Sequence, residues 1–126
     1  MSALSVEEGG AVDLDAAAAL LLSLWRGHRG DARTVEDARA RLDLLLGCGH
    51  APFLFRDAEG AAGFAMIRDA GDHVFLRYFV VDEARRGRGV GRAAFALLSE
   101  RVGPREIRLD AVTETAQGFW AALGFA

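Results

Sequence analysis

The sequence contains no lysine, only two prolines and one cysteine, and it has no apolar run long enough to cross a membrane. A membrane helix needs about 20 predominantly apolar residues, so we expect no membrane association. The lone Cys48 excludes an internal disulfide and a zinc site built from several cysteines, and a lone thiol suits a reducing compartment. Residues 1–10 lack the basic flank and the apolar block of a secretory signal. These absences predict a cytoplasmic protein with neither redox chemistry nor a metal site.

The sequence does contain enough apolar material for one core, together with a concentrated group of arginines. With 126 residues and 52% hydrophobic content, the chain fits a single domain, residues 1–126. All fifteen basic residues are arginine, and four of them lie between positions 85 and 92. The net charge of -3 argues against nucleic acid as a partner, whereas a local basic cluster suits a small phosphorylated molecule. A solvated charged turn is the simpler alternative.

Apolar periodicity divides the chain into helices and strands in the order ααβββ, loop, αβα. Helical spacing appears in residues 13–25 and again after a Thr34 N-cap. Three short apolar runs joined by turns rich in Asp and Gly predict an antiparallel meander: residues 51–57, 62–68 and 73–81. A helix from Val90, a strand at residues 105–111 and a short helix at residues 116–123 follow. This order predicts an α/β (α+β) fold in which a mixed central sheet carries helices on both faces.

Three glycines, Gly87, Gly89 and Gly91, follow the third predicted strand and open the next helix. Glycine lets the backbone turn tightly, so that successive N–H groups point into one concavity at the helix N-terminus. The helix dipole and the arginines add to the attraction for an anion, and a pyrophosphate fits better than a single carboxylate. The lysine-bearing nucleotide loop is absent, as is the dinucleotide-binding glycine pattern with its distal acid, so nucleotide hydrolysis and hydride transfer are disfavoured.

Two short motifs lie at this loop and near the end of the chain. The pattern R/Q-x-x-G-x-G/A is matched by Arg86, Gly89 and Gly91 within YFVVDEARRGRGVGRAAFALL. The pattern A-x-x-F-Y/W-x-x-L-G-F is matched by residues 116–125, about 30 residues further on, with a predicted strand between the two. In this order and setting the chain resembles the GNAT superfamily of acetyl-CoA-dependent N-acyltransferases, and the preceding ααβββ pattern matches the usual layout of that family.

The resemblance implies a GNAT-like fold that uses acetyl-CoA as a co-substrate and needs no metal. In such enzymes the strand before the loop, the family's fourth, splays from the next strand, and the pantetheine arm bonds to its exposed backbone. The loop amides then hold the pyrophosphate, although Arg85 and its three neighbours cannot all touch it, and we expect some to be only solvated. The implied cofactor-binding residues are Phe79, Val80, Val81, Arg86, Gly87, Arg88, Gly89, Val90, Gly91, Arg92, Thr113, Phe119 and Trp120.

The resemblance further implies that the acetyl group passes directly from the thioester to a primary amine, without a covalent enzyme intermediate. The N–H of Val81 is expected to face the tetrahedral oxyanion. Five residues are candidates for the base that deprotonates the amine, the first two being favoured: His73, Asp110, Asp72, Glu83 and Glu114. Each of the favoured two has a plainer interpretation, His73 as a turn residue and Asp110 as an exposed acid at a strand end.

The sequence departs from the family pattern in three places. Trp120 stands where many members carry the tyrosine that protonates the departing thiolate, and an indole N–H has no useful acidity. Thr113 replaces a frequent asparagine. The sequence stops at Ala126, where the family continues into a last hairpin. Either one wall of the acceptor site is missing, or a second subunit of a homodimer supplies it.

Two functions stay open at this level. The first is an N-acetyltransferase whose amine acceptor binds beside the link between the first two helices, residues 25–31, with Trp25 expected to be a core residue. The second is a weakly active or inactive module that binds or senses acyl-CoA, which Trp120 and the short C-terminus suggest. An RNA-binding role for the arginine and glycine stretch is disfavoured, because no aromatic residues are interleaved with it.

Overall fold

The structure is a computed structural model that describes residues 4–26, 32–85, 87–109 and 117–122. These residues form five strands and four α-helices in the following order: β1 (Ser5–Glu8), α1 (Leu14–Arg26), α2 (Val35–Gly47), β2 (His50–Asp57), β3 (Gly60–Asp69), β4 (His73–Val81), α3 (Val90–Val102), β5 (Glu106–Leu109) and α4 (Gln117–Ala122). Short 3-10 turns at Gly9–Ala11 and Glu83–Arg85 complete the described secondary structure. Within these residues, every helix is too short or too polar to cross a membrane.

The strands form one mixed sheet in the sequential order β1-β2-β3-β4-β5. The first four strands are antiparallel neighbours, and β5 runs parallel to β4 after the α3 crossover. This arrangement confirms the predicted mixed sheet, and the strand that starts at His73 is indeed the fourth. The two-residue turn between β2 and β3 begins with Asp57 paired to Gly60, as the Asp and Gly content of that segment predicts.

The sequence prediction that two helices precede the first strand is wrong, because β1 comes before both. Its four residues, SVEE, are too few to show a strand periodicity. The strand forms because β2 offers backbone partners along Ser5 to Glu8 and because Glu7 accepts a hydrogen bond from Arg56 at 2.8 Å. These are contacts between residues far apart in sequence, which local patterns cannot reveal.

Helices cover both faces of the sheet and create two separate cores. On one face, α1 and α2 pack on β2, β3 and β4 through buried residues that include Leu21, Trp25, Leu42, Leu54, Phe64 and Met66. On the other face, α3 and α4 pack on the same strands through Phe55, Ile67, Leu76, Ala94, Leu98 and Trp120. Each fully buried large side chain contributes about 1.5–3 kcal/mol to folding, so both layers hold the sheet firmly.

Local signals set the ends of the helices close to their predicted positions. The Thr34 hydroxyl accepts a hydrogen bond from the Asp37 N–H, and the Asp37 carboxylate accepts one from the Thr34 N–H. This capping box satisfies two N–H groups that have no helical acceptor, and it confirms Thr34 as the N-cap of α2. At the other end of the chain, α3 begins at Val90 and stops before Gly103, as predicted.

A β-bulge divides β4 into two parts. Met66 pairs with Tyr78 and Ile67 with Leu76, so Arg77 is the extra residue in the ladder between β3 and β4. Residues two apart in a regular strand share a face, but the extra residue places Leu76 and Tyr78 on opposite faces of the sheet. Leu76 packs in the core beneath α3, whereas Tyr78 packs in the core beneath α1 and α2. The part of β4 that follows the bulge leads into the arginine and glycine loop.

Candidate functional site

Among the residues that the structure describes, the second part of β4 is paired along one edge and open along the other. The described pairing of β4 with β5 ends at Leu76 and Leu109, so from Arg77 onward the described neighbour of β4 is β3 alone. The Asp82 N–H donates to the Ala62 carbonyl at 2.8 Å, on the β3 side. Because backbone groups alternate in direction along a strand, the N–H and C=O groups of Phe79 and Val81 point to the opposite edge. They form a short row of donors and acceptors beside the site.

The loop after β4 turns through two glycines in the left-handed region. Gly87 has φ 80° and Gly89 has φ 74°, values that L side chains rarely adopt. A Cβ built at either position would meet no described atom within 4 Å, so the restriction on these two residues is conformational. Gly89 is also the N-cap of α3 and contributes no capping side chain. The first-turn N–H groups of α3 therefore have no helical acceptor and are available to an anion.

Two exposed arginines lie at this turn or directly after it. Arg88 lies within it and Arg92 in the first turn of α3, and neither makes an ion pair with another residue that the structure describes. Val90 and Gly91 between them are half-buried, while Arg86 lies outside the described residues. Positive side chains and the positive end of the α3 dipole thus reinforce one another at one position. This combination suits a multiply charged phosphate group.

Arg85 differs from these two arginines, because its side chain points into the protein. It is only 6% exposed, and its guanidinium makes a two-pronged contact with Asp57, from Nε at 2.6 Å and from NH2 at 2.8 Å. The Arg85 hydrogen bonds hold the pKa of Asp57 well below its usual range, at about 2, and the same contacts raise the pKa of Arg85. The sequence led us to expect that some arginines of the cluster are only solvated; Arg85 is instead buried in an ion pair.

An aromatic cluster packs between the second part of β4 and the helices α3 and α4. The rings of Phe79, Phe95 and Trp120 lie with centroids 5.4 to 6.1 Å apart in tilted, edge-on contacts. Trp120 is 7% exposed and belongs to the core under α3, so it is a packing residue of the site's floor. Val80, on the opposite face of the strand, is buried against α1 and α2. The remaining cofactor-binding candidates, Thr113 and the side chain of Phe119, lie outside the described residues.

The structure separates His73 from the loop. His73 is the first residue of β4, and at roughly 3.3 Å per residue it lies about 25 Å along the strand from Val81. Its Nδ1 contacts Asp72 at 2.6 Å and its Nε2 lies 3.4 Å from Arg108, while the hydrogen bond from His73 lowers the pKa of Asp72. The other favoured base, Asp110, and Glu114 lie outside the described residues.

A shallow groove of about 460 Å³ runs beside the end of β4. One face of α1 lines it through Ala19, Leu22, Ser23 and Arg26, and Glu83 lines it from the turn after β4. Charges of both signs therefore border the groove. Trp25 points away from it and is buried in the core, as expected, with the Arg33 guanidinium 3.6 Å from its ring centre. Among the described residues, no group of three or more His, Cys, Asp or Glu side chains could hold a metal ion.

The sequence profile of the acetyltransferase (GNAT) family matches residues 18–125, which is most of the chain. This protein belongs to the GNAT acetyltransferase family. The match spans α1 through the C-terminal motif, so the GNAT resemblance inferred from the two motifs is confirmed.

Several solved structures share the fold over almost the whole chain. The aminoglycoside N-acetyltransferase AAC(6')-Iy, solved in complex with CoA, is 26% identical with a TM-score of 0.70, and the match covers 100% of this chain and 90% of that one. The GNAT family protein SP0256 from Streptococcus pneumoniae is 16% identical with a TM-score of 0.71, covering 98% and 88%. PH1933 from Pyrococcus horikoshii is 18% identical with a TM-score of 0.76, covering 98% and 89%. Among proteins with curated functions, none gives a significant match.

Three features of the candidate site were not predicted from the sequence. The bulge at Arg77 has no signature in an unbroken run of strand-forming residues. The pairing of Arg85 with Asp57 joins positions 28 residues apart, and only the turn residue types around Asp57 hint that its carboxylate has a local role. The third is the groove between α1 and Glu83, which depends on how a helix packs across the end of a strand.

Proposed function

We propose that this protein transfers the acetyl group of acetyl-CoA to a primary amine by direct attack. The observation that carries the proposal is the joining of an open β4 edge to a left-handed glycine turn at the N-terminus of α3, in a chain of the GNAT family. The edge suits the amide groups of a pantetheine arm, and the turn suits a pyrophosphate. A neighbour of the same fold was solved with CoA, which supports the choice of this cofactor.

The cofactor-binding residues divide by the type of contact that each can make. The backbone groups of Phe79 and Val81 are proposed to bond to the pantetheine arm as an added strand would, while Val80 anchors this part of β4 in the core. The amides of residues 86–91 and the side chains of Arg88 and Arg92 are proposed to hold the pyrophosphate. Gly87 and Gly89 carry no side chain, which favours a close approach of the phosphates to the backbone.

The reaction needs an oriented thioester, a neutral amine and a place for the developing negative charge. The amine nitrogen forms a bond to the carbonyl carbon, and the tetrahedral oxyanion accepts a hydrogen bond from the N–H of Val81, which points to the open edge as that of Phe79 does. The C–S bond then breaks. The amine proton passes to a base or to water, and the thiolate takes a proton from solvent. No covalent enzyme intermediate forms.

Of the two favoured candidates for the base, the structure describes only His73. His73 is at the far end of β4, so Asp110, which follows β5, is the stronger proposal for the base. Trp120 packs against Phe79 and has no acidic proton, so we assign it to the floor of the site. Solvent is then the source of the thiolate's proton, which is chemically sufficient because a thiol's pKa lies near 8.5.

The groove beside Glu83 is proposed as the approach route of the acceptor. Arg26 and Glu83 could contact a carboxylate and an ammonium respectively, which favours acceptors that carry both charges. The panel used to test this should include an aminoglycoside, because one neighbour is an aminoglycoside N-acetyltransferase. Measuring activity across a range of protein concentrations shows whether a second subunit completes the acceptor site.

The deciding experiment combines binding with turnover. Acetyl-CoA should raise the melting temperature through binding to the folded state, and a panel of amines with acetyl-CoA should include at least one that releases free thiol. An unchanged melting curve in excess acetyl-CoA would overturn the proposal. A shift with no thiol release from any amine would instead favour the second candidate, an acyl-CoA-binding module without turnover, which the burial of Trp120 at the usual tyrosine position motivates.

A further inference from the structure

Arg85 is surrounded by carboxylates of the protein itself. Besides the two contacts with Asp57, its NH1 donates to the Asp82 carboxylate at 2.5 Å, and the more exposed Glu59 carboxylate lies 3.9 Å from NH2. The Arg85 side chain is 7% exposed and that of Asp57 is 12% exposed. All three nitrogens of the guanidinium are directed at these acids. Three of its five N–H donors are bonded to Asp57 and Asp82, and the carboxylates around the buried guanidinium make this an unfavourable position for a further anion.

The position of Arg85 in the chain places this cluster of charges at the start of the loop. Arg85 ends the 3-10 turn that leaves β4, and its backbone N–H donates to the Asp82 carbonyl at 2.9 Å. Gly87, the first left-handed residue of the loop, is two residues further on. The Arg85 side chain thus connects the start of the loop to the turn between β2 and β3.

The Asp57 carboxylate is held in place by hydrogen bonds at its own end of this connection, which makes it an anchor for Arg85. Its Oδ1 accepts the Glu59 N–H at 2.8 Å, so the carboxylate is held by the hairpin turn as well as by Arg85. Its low pKa keeps it ionised at neutral pH. The anchor matters because the second part of β4 lacks a described partner on its other edge, so β3 and the hairpin turn are what locate the strand's end.

We propose that Arg85 is a positioning residue for the pyrophosphate-binding loop, acting through Asp57 and Asp82 without touching the cofactor. The inference rests on the proposed coenzyme A function of the loop. It divides the arginine cluster in two: Arg88 and Arg92 face the cofactor, whereas Arg85 fixes the place from which the glycine turn begins. A buried pair with two-pronged geometry is suited to this task because it specifies both distance and orientation.

The test compares Arg85→Met with Arg105→Met, a matched control. Arg105 pairs with Asp69 at 2.7 Å near the opposite end of β3, so its replacement also breaks an arginine–aspartate pair but leaves the loop alone. Titration calorimetry with coenzyme A should show affinity about tenfold weaker for Arg85→Met and within about twofold of wild type for the control. Pantetheine, which lacks the pyrophosphate, should bind to wild type and Arg85→Met with affinities within about twofold of each other in an NMR titration.

Three results would overturn the inference. One is a loss of less than about fivefold in coenzyme A affinity for Arg85→Met, and another is an equal loss in the Arg105→Met control. The third is an equal loss for pantetheine, which would indicate general loosening of the domain. If Arg85→Met does not fold, Asp57→Asn replaces it under the same criteria, since it weakens the pair but keeps the side-chain shape. Failure of the wild-type protein to bind coenzyme A would count against the proposed function itself.

Discussion

The two parts of β4 on either side of Arg77 share one strand but differ in their surroundings. The first part, His73 to Leu76, lies between β3 and β5, and its backbone has partners on both sides. The second part, Tyr78 to Val81, is paired with β3 and has an open second edge in the described structure. Pairing on both sides serves stability in the first part, whereas the edge of the second part that has no described partner is where we propose that the ligand binds. Substitutions at the second part of β4 and its loop should therefore weaken ligand binding more than substitutions at the first part.

Replacing Gly89 with glutamate should remove cofactor binding. Gly89→Glu places an L side chain at φ 74° and puts a negative charge at the N-terminus of α3, where the proposed pyrophosphate lies. We expect coenzyme A affinity to fall about a hundredfold, equivalent to roughly 2.7 kcal/mol, as measured by calorimetry. Gly103→Glu is the control, because Gly103 caps the other end of the same helix at φ 78°. Equal losses in the two variants would refute an anion site at Gly89.

Adding one methyl group to β3 should disturb the second part of β4. A Cβ built on Gly63 lies 2.4 Å from the Val80 carbonyl oxygen, so Gly63→Ala forces the two strands apart. We expect a loss of about 1–3 kcal/mol in the free energy of unfolding, measured in urea, together with weaker coenzyme A binding. Gly10→Ala, where the new methyl meets nothing within 4 Å, should change stability by less than about 0.5 kcal/mol. A Gly63→Ala protein as stable as wild type would show that β4 can move to accommodate the methyl group without a loss of stability.

The ion pair between Arg85 and Asp57 should make the stability of the protein depend on pH in the acidic range. The pKa of Asp57 is lowered from 3.8 to about 2, so its ionised form stabilises the fold at pH values above 3.8. This contribution is lost as the pH falls from there through about 2, where Asp57 becomes protonated. The difference in melting temperature between wild type and Asp57→Asn should therefore shrink steadily over this interval. A difference that is constant with pH would mean that the charge of Asp57 does not matter.

Removing His73 should have the smallest effect, because it lies in the paired part of β4. His73→Ala breaks a contact with exposed Asp72, and we expect kcat/KM for acetyl transfer to stay within about twofold of wild type. Asp110→Asn, assayed beside it with the same amine, should lower kcat and flatten its dependence on pH. A hundredfold loss on removing His73 would reverse the assignment and place the catalytic base at the paired end of the strand.

Much of the fold could be predicted from local patterns. The helical spacing of α1, the Thr34 cap of α2 and the helix that opens at Val90 all match, because each depends on residues within a few positions of one another. The missed β1 and the bulge at Arg77 depend on a neighbouring strand, so a single segment does not reveal them. For the site, the sequence identified the glycine turn and indicated that the four arginines do not all touch the ligand, but it did not show that Arg85 is the buried one.

Local sequence features were enough to identify the family, and they predicted an anion-binding loop. Glycines at positions 87, 89 and 91, arginines around them and the C-terminal motif are short-range features that are present in the unfolded chain as well. Folding determines three further features: which part of β4 has only one described neighbour, the packing of Trp120 in the core, and the orientation of Arg85 towards Asp57. The physical reason is that an arginine's role depends on which charges surround it, and folding brings Asp57 beside Arg85 from 28 residues away.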